Sequence, residues 1–271
     1  MSDRVSVHLE DHVADVRLAR PEKLNALDAA MFQALVETGR KLASEPQVRA
    51  VVLSGEGRAF CAGLDFTSFM GMADGGAASG TPSRSLLHQD GSSPANYAQL
   101  AAWVWQELPM PVIAAIHGVA YGGGLQIALG ADVRFVAPDA KLSVMEIKWG
   151  LVPDMSGTQT LRHLVRLDVA KELTFTGRIV SGTEAVALGL ATRLSDAPRE
   201  AALTLAREIA TKSPAAIRAC KQLLNASVTA SVEEGLRLEA RLQTSLIGKP
   251  EQIEAVKANL EKRAPRFGDP S

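Results

Sequence analysis

An α/β core followed by a helical carboxy-terminal part is the fold class that this sequence of 271 residues predicts. Three observations predict it. Short apolar runs of strand length fill the first half, helical periods separate them, and from about Ser156 onward the pattern is helical.

The elements follow in order. Val5, Val7 and Leu9 alternate with polar residues, and Val13, Val16 and Leu18 resume after Asp11-His12, which predicts a hairpin. Asp28 is placed to cap a helix carrying Met31, Leu35 and Leu42 on one side. Val48 to Leu53 runs apolar without interruption into Ser54-Gly55-Glu56-Gly57, as a strand buried on both faces does. Residues 70–95 then turn to Gly, Ala, Ser, Asp and Pro, too poor in apolar surface to offset their ordering entropy. A stretch of that length is expected to be either a functional flap or disordered. Residues 94–108 predict a helix, with Trp103 and Trp105 as packing groups. Val112 to Ile116 is a second buried strand, and Gly122-Gly123-Gly124 opens a short helix through Leu129. Val133 to Ala137 and Leu142 to Val144 are strand-like. Ser181 with Glu184 and Ser231 with Glu234 form capping boxes, and Ser213-Pro214 is an N-cap with proline behind it.

Composition excludes several functions. With 29 basic and 30 acidic residues the net charge is −1, so no basic blanket serves nucleic acid or an anionic membrane. Cys61 and Cys220 are too few for a disulfide framework, which fits a reducing cytoplasm. Residues 1–10 carry Asp3, Arg4, His8 and Glu10 and do not read as a signal peptide. No apolar run is long enough for a membrane span.

Familiar site motifs fail in turn. Gly55-x-Gly57 lacks the third glycine of a dinucleotide loop, because Phe60 stands there, and the triple glycine fits neither that loop nor a phosphate loop. The five histidines and two cysteines show no metal-ligand spacing, so no metal is expected. His117 and Cys61 read as structural, the latter as a small buried thiol. What remains is a strand end followed by a tight turn, twice: Phe60-Cys61-Ala62-Gly63-Leu64-Asp65 and His117-Gly118-Val119-Ala120-Tyr121-Gly122-Gly123-Gly124. Small residues there let a ligand approach the main chain and leave amides free to donate. Two amides converging on one oxygen would form an oxyanion hole.

These turns, with Met145-Glu146-Ile147-Lys148-Trp149-Gly150-Leu151-Val152-Pro153-Asp154 and Ser156-Gly157-Thr158-Gln159, resemble the signature of the crotonase (enoyl-CoA hydratase/isomerase) superfamily. Leu64 and Gly123 are 59 positions apart and Glu146 follows 23 later, in the order and spacing of that family. Arg20-Pro21-Glu22-Lys23-Leu24-Asn25-Ala26-Leu27 resembles its amino-terminal motif. Thr176-Gly177-Arg178-Ile179 with residues 185–190 resembles its stretch beyond the active site. The likeness covers roughly residues 5–195.

The resemblance implies a spiral of β-β-α turns over residues 1–197, a helical region over 198–271, and a homotrimer or dimer of trimers. It implies an acyl-CoA thioester as substrate and no separate cofactor, coenzyme A entering as part of the substrate. The amides of Leu64 and Gly123 would hold the thioester oxygen, beside Ala62, and Glu146 would be the acid/base group. Arg58 matches a basic position near the CoA phosphates, and Lys23 lies one residue after the family's usual lysine; surface charge is the competing reading for both. Hydratases of the family carry a second glutamate where this chain has Gln126, and an amide can hold a water but cannot take its proton. Asp154 matches an aspartate of the dienoyl-CoA isomerases, either as a partner carboxylate to Glu146 or as a residue ordering the turn after Pro153. Isomerisation is therefore expected slightly ahead of hydration. A non-catalytic acyl-CoA-binding homologue and a thioester hydrolase or decarboxylase are the alternatives. Residues 70–95 with Met145, Trp149 and Met155 are expected to shape the acyl pocket.

Overall fold

Apolar residues on both sides of a strand require cover on both faces, and that demand organises the fold. The computed structural model describes residues 3–65, 67, 86–89, 91 and 93–269. β1 (Val5–Glu10) and β2 (Val13–Leu18) form the expected hairpin. Asp11 and His12 both take positive φ in its turn, the twist that suits a tight hairpin. β3 (Ala50–Gly55), β4 (Val112–Ile116), β6 (Val133–Val136) and β9 (Arg193–Leu194) add in parallel, giving the order β1-β2-β3-β4-β6-β9. β3 starts two residues later than expected, because the Val48 amide bonds back to Glu45 in the turn before it.

The two faces separate cleanly along β3 and β4. Val51, Leu53, Val112, Ala114 and Ile116 face the larger core, which α1 (Ala29–Ala43) and α2 (Tyr97–Glu107) help to form. Asp28 caps α1 through its side chain as expected, and Met31, Leu35 and Leu42 are buried. Trp105 is fully buried and Trp103 packs against the same core. Ala50, Val52, Ile113 and Ala115 face the other way, against Ala202, Ala206 and Ala210. Those three alanines lie at four-residue spacing on α7 (Pro198–Ala210), so a stripe of small residues brings that helix onto the sheet.

A second, smaller sheet makes the spiral. β5 (Val119–Tyr121) pairs with β7 (Lys141–Ser143), and β7 with β8 (Val180–Ser181). Isolated parallel bridges extend this layer, Cys61 to Ala120 and Leu27 to Leu64. β3, β4 and β6 are thus each followed by a short step in this layer: β3 by Cys61, β4 by β5, β6 by β7. The three-residue β5 and the two-residue β8 and β9 leave too short a pattern to read from the sequence.

α3 (Gly123–Leu129), α4 (Gly157–Leu164), α5 (Leu167–Thr176) and α6 (Gly182–Leu188) follow the site strands. Ser181 accepts from the Glu184 amide as expected. The Glu184 carboxylate, however, meets Arg178 instead of returning to Ser181, so that box is half made. The Ser231 box is complete, and Ser213 caps α8 (Pro214–Ser227). α9 (Val232–Leu246) has no buried residue and α10 (Pro250–Leu260) has one, Ala258. Among the described residues no helix is long and apolar enough to cross a membrane. Of the expected flap, residues 70–85, 90 and 92 lie outside the described residues.

Candidate active site

The first turn is assembled by side chains from elsewhere. Asn25 is fully buried and sits at φ +57°, a left-handed conformation that asparagine tolerates. Its Nδ2 donates to the carbonyls of Glu56, Ala59 and Phe60 at 3.0, 2.8 and 3.2 Å, gathering the loop after β3. Arg20 donates to Asp65 at 2.6 Å and to the Ala26 carbonyl at 3.1 Å. Leu27 donates to Gly63 and Asp65 donates to Leu27. These bonds bracket Leu64 and leave its amide without an acceptor among the described residues. Gly63 makes the bend at φ +86°, and a Cβ there would lie 2.6 Å from the Tyr121 carbonyl.

The second turn leans on the first. Cys61 donates to Val119 and Tyr121 donates back to Cys61, both at 3.0 Å. Gly124 packs so closely that a Cβ would stand 2.4 Å from the Cys61 carbonyl. Gly123 begins α3, and its amide likewise has no acceptor among the described residues. A Cβ on Gly63 would be only 3.7 Å from Gly123 N. Two donors without an acceptor among the described residues therefore belong to adjoining turns.

Both turns open on a cavity of about 730 Å³. Lys23, Ala62, Leu64, Gly123, Glu146 and Asp154 line it, together with Met145, Trp149, Met155, Leu86 and Leu87. Phe32 of α1 and Ala98 of α2 complete an apolar end. Lys23 is exposed on the one-turn 3₁₀ helix Pro21–Lys23. Arg58 is exposed and is not among the lining residues. Cys61 is a buried thiol pushed up to about 12 by burial, inert at neutral pH.

Glu146 opens a 3₁₀ turn (Glu146–Trp149) after β7 and is 8% exposed. Its carboxylate lies against the second turn, since a Cβ on Gly122 would be 3.2 Å from Oε1. Gln126 Nε2 donates to that Oε1 at 2.5 Å, while Oε2 is buried with no partner among the described residues. Burial pushes the Glu146 carboxyl above its ordinary value and the charge of Asp154 adds to it, while its own backbone N–H, the Gln126 hydrogen bond and the Met145 backbone pull the other way. Asp154 keeps one side in solvent, yet the concave wall around it desolvates the carboxyl enough to raise it as well.

Gln126 itself is not a lining residue. It is buried behind Glu146, with Oε1 taken by the amides of Met155 and Gly157. Its influence on the cavity runs through Glu146. Sequence reasoning located Gln126 but missed this contact, and it missed the roles of Asn25, Arg20 and Asp65. A polar residue inside the otherwise apolar Leu125–Leu129 run was the available signal.

Residues 8–270 match the family described as enoyl-CoA hydratase/isomerase. The chain belongs to that family. Among enoyl-CoA hydratase/isomerase relatives, the mouse mitochondrial Delta(3,5)-Delta(2,4)-dienoyl-CoA isomerase is 34% identical over 94% of this chain and 78% of its own. The mouse mitochondrial methylglutaconyl-CoA hydratase is 32% identical over 96% of this chain and 82% of its own. A crystal structure of an enoyl-CoA hydratase from Bacillus anthracis superimposes with a TM-score of 0.87 at 30% identity, covering 97% of this chain and 98% of that one. Hydratases and isomerases of the family thus stand at similar distance from this chain.

Proposed function

We propose that the protein shifts the double bond of an enoyl-CoA thioester through an enolate, in preference to adding water across it. One observation carries the preference. Glu146 is a buried carboxylate beside the two donor turns, one of its oxygens without a partner among the described residues, and Gln126 occupies the adjacent place that a second carboxylate would need. An amide with its oxygen already holding two backbone N–H groups has no way to deprotonate a water.

The thioester oxygen accepts hydrogen bonds from the Leu64 and Gly123 amides. Glu146 takes a proton from C2 of a 3-enoyl thioester, and the electron pair delocalises onto that oxygen as a dienolate. Return of the same proton to C4 leaves the double bond between C2 and C3, with no net gain or loss of atoms. Asp154, on the same wall, is a second carboxylate for a longer conjugated substrate. The apolar end of the cavity takes the acyl chain; Lys23 on the cavity wall and Arg58, exposed outside it, are the cations we assign to the CoA phosphates. No further cofactor enters this chemistry.

A homotrimer, alone or paired, is the assembly we attach to this reading. α9 and α10 expose Val232, Leu236, Ile253 and Leu260, with Val232 and Leu260 each 80% exposed. The fold of one chain leaves these residues uncovered, and a neighbouring copy would bury them. Light scattering should give three or six times the chain mass; a monomer would refute it.

Ultraviolet absorbance of the conjugated thioester tests the reaction. Added to a 3-enoyl-CoA, the protein should raise the absorbance, and Glu146→Ala should slow the rise by ~10²–10⁴. Faster loss of absorbance from a 2-enoyl-CoA would show hydration and overturn the preference. Binding of thioesters with neither signal would favour the non-catalytic or hydrolytic alternatives.

A further inference from the structure

The amide of Gln126 has one orientation open to it. Its Oε1 lies 2.9 Å from the backbone nitrogens of Met155 and Gly157. Both nitrogens donate, so the atom they reach must be the oxygen, and the NH₂ end is directed at Glu146. The frame behind it is firm. Ser156, between the two donors, is held at φ +66°, a left-handed conformation that persists only where the surroundings over-determine it. Gly157 approaches so closely that a Cβ would meet Gln126 Oε1 at 2.6 Å. Gln126 is 2% exposed, so no water competes for its donor.

This geometry makes the two oxygens of Glu146 unequal. Oε1 faces an N–H, and a proton placed on that oxygen toward Gln126 would set two donors head to head. Oε2 is the oxygen left buried without a partner among the described residues. We propose that Gln126 is a positioning residue: its fixed hydrogen bond to Glu146 Oε1 sets the orientation and the titration of the carboxyl group that exchanges a proton with substrate. The proposal rests on the reading of Glu146 as the proton carrier. A fixed donor also favours the ionised carboxylate, opposing the burial that disfavours it. The other charged groups on the cavity walls are Asp154, Lys23 and Asp65; of these Asp154 acts on Glu146, and in the raising direction.

Gln126→Glu separates positioning from packing. It keeps the shape and an acceptor for the Met155 and Gly157 amides, but it turns a carboxylate oxygen toward Glu146. Gln126→Met removes donor and acceptor together. Two measurements on the purified full-length variants read the outcome. Carbon-13 NMR of carboxyl-labelled glutamate follows the titration of Glu146, whose resonance is assigned by its loss in Glu146→Gln. The pH profile of kcat/KM reports the same group through turnover.

The expected result is a Glu146 midpoint raised by about 1–2 pH units in Gln126→Glu, where the two carboxylates titrate as a pair, and raised also in Gln126→Met. The acid limb of kcat/KM should move with it, and kcat should fall while KM holds. A Glu146 midpoint unchanged in both variants would overturn the proposal and leave Gln126 as packing. The NMR arm needs no turnover. A shifted midpoint in a protein that isomerises nothing would therefore uphold the role of Gln126 and refute the reaction instead.

Discussion

The two turns that meet in the cavity present the same group, a backbone N–H, by opposite means. The Leu64 turn is held by side chains reaching in from the segment before α1: Asn25 gathers three carbonyls and Arg20 grips Asp65. The Gly123 turn is held by the absence of side chains, which lets Gly124 press against Cys61. The Leu64 turn therefore has long-range side-chain tethers to lose, whereas both turns, at Gly63 and at Gly124, are closed to added atoms.

The largest effect should come from adding a methyl to the second turn. In Gly124→Ala the new carbon would lie 2.4 Å from the Cys61 carbonyl and 2.8 Å from its Cβ, forcing the turns apart. Activity should fall ~10²–10³-fold, the amount that a lost oxyanion donor removes. Stability should fall by about 1–3 kcal/mol from overpacking. Enzyme kinetics beside urea unfolding would show both. Wild-type activity in this variant would mean that the donors do not depend on the close approach.

Removing atoms from the first turn should reverse that ratio. Asn25→Ala strips a donor from the buried carbonyls of Ala59 and Phe60, at about 1–3 kcal/mol for each group left unsatisfied. The activity lost should be smaller than in Gly124→Ala, because the Leu27 ladder on both sides of Leu64 survives. If urea unfolding showed no loss, the tethered turn would be as self-sufficient as the glycine one and the contrast would collapse. Asn25→Gly gives the smallest difference. It loses the same hydrogen bonds but relieves the left-handed strain of alanine, so it should be more stable than Asn25→Ala by about 1–2 kcal/mol.

Legibility in the sequence followed the range of the interactions. Asp28, Ser213 and Ser231 cap helices that begin within two residues of them, so local patterns sufficed. β3 and β4 were visible because strands buried on both faces read as continuous apolar runs. β8 and β9 were not, since two residues carry no period. Glu146, Leu64 and Gly123 stood out through motif order, and the fold puts all three on one cavity. Gln126 was read as standing where a second carboxylate would be, but its contacts with Glu146 and with amides 29 and 31 positions away were not legible.

By itself the sequence determined the longer strands and the capped helices, the two small-residue turns and the carboxylate that follows them. The elements and turns depend on neighbours close along the chain, through caps, alternation and glycines, while Glu146 stood out through the resemblance of its motif to the family's. Only the tertiary structure decided that Asn25 and Arg20 frame the Leu64 amide, that Gln126 pins one oxygen of Glu146, and that α7 covers the second face of the sheet. Each of those is a contact between segments far apart in sequence. Hydrogen bonds and close packing act over a few ångströms in space, and only folding brings such segments within that range.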